Sequence, residues 1–193
     1  MNTGLLVFQL SNGLGFGTSP RIGNLIGAAK PRQARIAAKM AILASSFIGV
    51  LGTLFLVFCG DWWTLVYTSD PDVIRETAKL IPVLCTLIVG DGLNAVLSAI
   101  LRGLGRQKVG ANIYLFAFYV CAVPIGLYLG YVLNMQAVGL WWGICSGVIL
   151  TCLLQIYYIF KKVDWNDEVR LCLIRLQNDS QPALIDAEDN ILK

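Results

Sequence analysis

The sequence predicts an all-α protein, a polytopic bundle of about five transmembrane helices, and three observations predict it. Apolar residues make up 56% of the 193 residues and charged residues only 14%, against about 45–50% and about 25% in soluble domains. The mean hydropathy is +0.67. No charged side chain occurs between Lys108 and Lys161, a run long enough to cross a bilayer twice at about 20 residues per crossing.

Five stretches read as spans. Residues 4–25 are uncharged until Arg21 and rich in glycine; 38–60 follow, then 73–101 with Pro82, 110–132 with Pro124, and 137–160. Proline inside a span is tolerated where neighbouring groups satisfy the freed carbonyls. Residues 1–162 thus form the bundle and 163–193 a polar tail. A short surface helix is expected over Arg170–Leu176 and disorder from Gln177. Asp70-Pro71-Asp72 reads as a turn, with Asp72 capping the third span.

Loop charge predicts the orientation. Lys30, Arg32, Arg35 and Lys39 follow the first span; Asp61, Asp70 and Asp72 the second; Arg102, Arg106 and Lys108 the third; the uncharged 134–136 the fourth; Lys161 and Lys162 the fifth. Basic and non-basic loops alternate, so the positive-inside rule makes the basic loops and the C-terminus cytoplasmic. Trp62-Trp63, Trp141-Trp142 and Tyr157-Tyr158 fall near span ends, as interfacial anchors do. The first residues carry neither the basic region nor the cleavage site of a signal peptide. An odd number of spans starting outside leads to the expectation that upstream sequence is missing.

Other function classes fare poorly. The basic residues sit in short runs between apolar segments rather than interleaved with aromatics, which argues against nucleic acid. Six scattered cysteines without a CxxC pair, and no histidine, argue against zinc. Paired carboxylates, a nucleophile with its base, or a metal cluster are not evident within the spans, so an enzyme is not expected. No cofactor is implied.

Asp91 stands out. About eleven residues separate it from Arg102 and nearly the same from Lys79, about 16 Å on each side at 1.5 Å per residue, which is close to mid-membrane. Lipid penalises an ionised carboxylate by about 2.5 kcal/mol or more, so the group must face the bundle or a water-filled cavity. There it can take up and release a proton. Asn94, Ser98 and Arg102 follow at i+3, i+7 and i+11 and extend a polar stripe. A purely structural hydrogen bond to another helix is the alternative. The first span is the other unusual element. Its glycines, including the Gly23/Gly27 GxxxG spacing, permit close packing or a break, and Gln9, Ser11, Asn12, Thr18 and Ser19 could line a pathway or brace helices.

Several motifs resemble those of the multidrug and toxic compound extrusion (MATE) family. Pro20-Arg21-Ile22-Gly23-Asn24-Leu25-Ile26-Gly27-Ala28 resembles its (S/T)-x-R-(V/I)-(G/S)-N-x-L-G-A-G signature. Leu101-Arg102-Gly103-Leu104-Gly105-Arg106-Gln107 with Gly110-Ala111 resembles its RGxGxQxxGA loop. Pro124-Ile125-Gly126 and Gly139-Leu140-Trp141-Trp142-Gly143 resemble its last two helices, and Asp164-Trp165 a pair following the final span in plant members. The Asn2-Thr3 start and Asp91 resemble the plant DETOXIFICATION branch more than the animal one.

The resemblance implies twelve spans in two six-helix lobes, of which this chain is similar to most of the C-terminal lobe from its second helix onward. It implies a secondary antiporter in the plasma or vacuolar membrane, exporting organic cations, xenobiotics or metabolites against protons or sodium ions. Asp91 takes the place of the family's protonatable acid, with Asn94, Ser98 and Tyr114 around it. Arg21, Gly23, Asn24, Gly27, Arg102, Gly103 and Gly105 become structural motif positions. Asn94 stands where Gln is common, Tyr114 where Asn is common, and Pro20 where a small residue or Thr is usual. The partners implied are the lipid bilayer, the substrate, the coupling ion and an N-terminal lobe that this chain lacks. The alternatives are a non-transporting truncated product, a half-transporter needing a complementary lobe, and a lipid-linked oligosaccharide flippase. The flippase would bring more cationic residues into the spans.

Overall fold

The computed structural model describes residues 2–65, 71–175 and 177, with side chains described over 7–58, 81–135, 137–175 and 177. The helices in chain order are α1 (Asn2–Gly27), α2 (Pro31–Leu65), α3 (Pro71–Gly103), α4 (Gln107–Leu115), α5 (Val123–Leu127) and α6 (Gln136–Tyr157). A further helix, α7, covers 165–175. A wide π-helical turn over Phe116–Ala122 joins α4 and α5 into one rod, a second over Tyr128–Val132 extends α5, and another over Tyr158–Lys162 extends α6. Pro124 explains the first of these. It has no N–H to return to the preceding turn, and the Val123 N–H beside it reaches the carbonyl of Phe118, five residues back.

Among the described residues, four helical stretches are long and apolar enough to cross a membrane: Pro31–Phe58, Ile81–Gly103, Gln107–Val132 and Ala137–Lys162. They overlap four of the five expected spans, the first beginning at Pro31 rather than 38 and the second at Ile81 rather than 73. The first expected span falls in α1, 26 residues long, where Gln9, Ser11, Asn12, Thr18, Ser19 and the glycines dilute the hydropathy. α1 nonetheless packs along α3 and α2. Neighbouring helices, not lipid, surround many of its polar groups, and Ser11 and Thr18 are buried.

α3 is the hub. It touches α1, α2, α4 and α6, and its buried residues Val83, Leu87, Ile88, Val96, Leu97, Ala99, Ile100 and Leu101 lie all around the helix rather than on one stripe. α2 is the opposite case. Ile36, Met40, Leu43, Phe47, Leu54 and Phe58 repeat at helical spacing and are all exposed. A stripe of that size is costly in water but natural against lipid tails.

Two loops use one device. After α1 the Lys30 N–H bonds to the Leu25 carbonyl at 2.9 Å and the Ala29 N–H to that of Ile26 at 3.0 Å. After α3 the Arg106 N–H bonds to Leu101 at 2.8 Å and the Gly105 N–H to Arg102 at 2.9 Å. These are Schellman caps, which need a left-handed residue; Gly105 supplies it at φ 71° and Ala29 at φ 56°. Glycine takes that conformation freely, whereas alanine pays for its Cβ. The signature that α1 resembles has Gly where this chain has Ala29.

α6 meets the 107–132 rod along a glycine seam. A Cβ on Gly143 would lie 2.7 Å from the Gly126 nitrogen and 2.9 Å from the Ala122 carbonyl, and one on Gly139 2.6 Å from the Gly130 nitrogen. Gly147 faces the Ala122 methyl in the same way, at 2.7 Å. The spacing of 139, 143 and 147 is the close-approach pattern of membrane helices. By contrast, Gly27 and Gly13 face open space, and Gly23 only approaches the Gly103 carbonyl at 3.6 Å.

The tail departs from the expected surface helix. α7 begins five residues earlier, after Asp164, whose Oδ1 accepts the Asn166 amide at 2.9 Å as an N-cap. Val163, Trp165 and Val169 then join one hydrophobic cluster with Ile22 and Ile26 of α1, Ala34 and Ala38 of α2, and Leu104. Burying that face outweighs the polarity of the rest of the segment. Arg106 donates to Glu168 at 2.8 Å through Nε and to the Tyr158 hydroxyl at 3.4 Å. The bond to Glu168 pushes the Arg106 guanidinium further above its ordinary range. The three basic segments, 30–35, 102–108 and 161–162, thus gather at one end of the bundle with α7 across them. Residue 176 and everything from 178, including most of the stretch expected to be disordered, lie outside the described residues, as does the turn at Asp70.

Candidate functional site

A cavity of about 690 Å³ runs beside α3, and all four sequence-predicted site residues line it: Asp91, Asn94 and Ser98 from α3, and Tyr114 from α4. The 3.6-residue period stacks 91, 94 and 98 on one face. Arg102 stands at the end of the stripe in the same cavity. The remaining wall is mostly apolar and aromatic, with Phe8 and Asn12 from α1, Leu84, Leu87 and Ile88 one to two turns before Asp91, and Trp141 from α6.

Each polar side chain is held differently. Asp91 is half-buried and forms no ion pair among the described residues. Asn94 is 3% exposed; its amide donates to the Val148 carbonyl at 3.3 Å, while its Oδ1 has no partner among the described residues. Ser98 accepts a bond of 3.4 Å from Gln155 of α6, and Tyr114 lines the same cavity. Tyr114 is steadied by stacking on Phe118, with centroids 5.9 Å apart and planes within 12°. α6 therefore fixes Asn94 and Ser98 while leaving the Asp91 carboxyl free in the cavity.

Beneath Asp91 the three helices α1, α2 and α3 meet at Gly92. A Cβ there would stand 2.8 Å from the Ser11 hydroxyl and 3.5 Å from that of Ser45. Both serines are fully buried. Gly92 thus lets α1 approach close enough to form the cavity wall.

Sequence reasoning missed Gln155, Phe8 and Trp141. Gln155 is fully buried in α6, and an uncharged polar residue in an otherwise apolar span was the available signal. Trp141 corrects the reading of Trp141-Trp142 as a pair of anchors. Trp141 packs against the Val83, Leu87, Cys145 and Val148 cluster and lines the cavity, whereas Trp142 is exposed. The side chains of Trp62 and Trp63 lie outside those described.

The two signature motifs meet each other rather than the cavity. Gly103 sits where a Cβ would come within 2.6 Å of the Ser19 carbonyl and 3.0 Å of the Ile22 side chain, and Gly23 faces Gly103 in return. Gly105 forms the α3 cap. Asn24 accepts the Ala28 amide through its carbonyl at 2.9 Å, with its side chain exposed. Arg21 is exposed and lines a separate groove between α1 and α2. Of the residues in these two motifs Arg102 reaches the cavity; a Cβ on Gly27 would meet nothing within 4 Å.

Fold and site together define a polytopic helical membrane protein with a polar cleft at mid-span. Residues 1–128 match the family model described as MatE, and the chain belongs to the MatE family. It is 32% identical over 184 residues to Protein DETOXIFICATION 38 of Arabidopsis thaliana, covering 94% of this chain and 36% of that protein. It is also 32% identical over 189 residues to the uncharacterized transporter YDR338C of Saccharomyces cerevisiae, covering 95% and 27%. The fold superimposes on the crystal structure of the eukaryotic MATE transporter AtDTX14 with a TM-score of 0.84 at 27% identity, covering 90% of this chain and 39% of the other. The chain thus spans about a third of the length of the relatives it matches.

Proposed function

We propose that this chain forms the C-terminal-lobe cavity of a secondary antiporter that exports organic cations, xenobiotics or secondary metabolites in exchange for protons. The observation that carries the reading is the single carboxylate of Asp91 at mid-span, in a cavity walled by Phe8, Tyr114 and Trp141. A proton and a cationic substrate both neutralise that carboxylate, so occupancy by one disfavours the other. Such mutual exclusion is the chemical basis of exchange. Asn94 offers an acceptor beside the acid, Gln155 of α6 holds Ser98 by a hydrogen bond, and the aromatic walls suit a cation's apolar body. A sodium ion could be exchanged through the same charge logic.

In this reading the basic end of the bundle, with α7, faces the cytoplasm, and the membrane is the plasma or vacuolar membrane. Alternating access requires a second lobe across the cavity. The test is uptake of tetraethylammonium into proteoliposomes containing this chain joined to a complementary lobe, driven by an imposed pH gradient. Asp91→Asn abolishes pH-driven uptake and Asp91→Glu retains part of it; undiminished uptake by Asp91→Asn removes Asp91 from the mechanism. The share of its relatives' length that the chain spans favours a second reading, a half-transporter or non-transporting product. Transport by the chain alone would refute that reading.

A further inference from the structure

A second concavity, of about 340 Å³, lies at the basic end of the bundle between the start of α2 and the end of α6. Arg32 and Arg35 line it from one side and Lys161 and Lys162 from the other, over a floor that includes Phe160 and Trp165. The four cations come from segments about 130 residues apart in sequence, so tertiary folding alone gathers them. Asp164 is the carboxylate among the lining residues, and one of its oxygens is engaged in capping α7. None of the four basic side chains forms an ion pair among the described residues. Holding like charges around one concavity costs energy unless an anion offsets it. α2 also starts at Pro31 on the rim, directing the positive end of its dipole there.

The position selects the kind of anion. Directly after Arg35 the exposed apolar stripe of α2 begins with Ile36, and directly before Lys161 comes Phe160 of the last span. The concavity therefore sits at the level where hydrocarbon gives way to headgroups. Basic pockets between membrane helices at that depth recognise phosphorylated lipid headgroups. Its volume exceeds that of a bare phosphate and suits a phosphorylated polyol. We infer that Arg32, Arg35, Lys161 and Lys162 form a binding site for a phosphate-bearing headgroup of an anionic lipid, separate from the Asp91 cavity.

The test titrates the full chain, in phosphatidylcholine nanodiscs, with dioctanoyl phosphatidylinositol 4-phosphate and separately with its water-soluble headgroup, inositol 1,4-bisphosphate, following the thermal unfolding midpoint. A saturable rise is expected with the lipid. Its half-saturating concentration should increase at least about tenfold in R32Q/R35Q/K161Q/K162Q, while K39Q/K108Q/R170Q/R175Q, with the same loss of charge outside the concavity, should match the parent. K161Q/K162Q, confined to the exposed end of a span, gives an intermediate weakening and covers the case in which the quadruple variant fails to fold. A response to the soluble headgroup equal to that of the lipid assigns the same site to a soluble phosphate. No saturable rise with either probe, or equal weakening of both quadruple variants, overturns the inference.

Discussion

Gly143→Ala is the sharpest test of how the α6 seam holds the cavity wall in place. The added Cβ would stand 2.7 Å from the Gly126 nitrogen and 2.9 Å from the Ala122 carbonyl. Both are backbone atoms, so no side chain can rotate away. Ordinary contact begins near 3.4 Å, and the Gly126 Cα is nearer still than these two atoms, so the helices must separate by about 1 Å. A gap of that order forfeits about a quarter to a half of each dispersion contact across the seam. With the usual penalty for overpacking a tight interior, the cost is about 2–3 kcal/mol, or roughly 4–12 °C in Tm for a chain of this size. Gly13→Ala is the matched control, because its Cβ meets nothing within 4 Å and alanine favours a helix by about 1 kcal/mol. Thermal unfolding of both variants in one detergent reads the difference. Equal midpoints for the two would refute the claim that backbone contact, rather than glycine content, matters at 143.

Two further predictions concern the basic end. Ala29→Gly should stabilise the chain by about 1 kcal/mol, because the residue sits at φ 56° in a Schellman cap; an unchanged or lower Tm would count against a left-handed cap there. Glu168→Gln removes the charge that ties α7 to Arg106 at 2.8 Å. It should cost about 1–2 kcal/mol, since Arg106 is partly exposed, and should speed amide exchange over 163–175 more than in α3. Uniform exchange changes would argue against a local tie.

Much of the architecture was legible without coordinates, because lipid imposes a length and an apolar composition that show directly in the sequence. The helical, apolar character of α3 and α6 was legible for that reason, and Asp91 was conspicuous because a carboxylate in a span is costly anywhere. Asn94 and Ser98 followed from helical periodicity alone. The glycine signals were legible but misweighted. Spacing singles out Gly23 and Gly27, whereas close contact falls on Gly92, Gly103, Gly139, Gly143 and Gly147, since spacing reveals a small-residue face but not whether another helix lies against it.

The tail shows the same boundary between local and tertiary causes. Residues 163–175 read as polar surface by composition, yet Val163, Trp165 and Val169 find a hydrophobic cluster supplied by α1, α2 and α3, and Glu168 finds Arg106 62 residues away. Trp141 and Trp142 are adjacent and chemically identical, and only the position of α6 against α3 sends the first to the cavity and the second to the exterior. By itself the sequence determined that this chain is a helical membrane bundle with an acid at mid-span, because period, length and desolvation cost are local properties. The tertiary structure decided what surrounds that acid, and it alone gathered four cations from the two ends of the chain, because both depend on contacts between residues far apart in sequence.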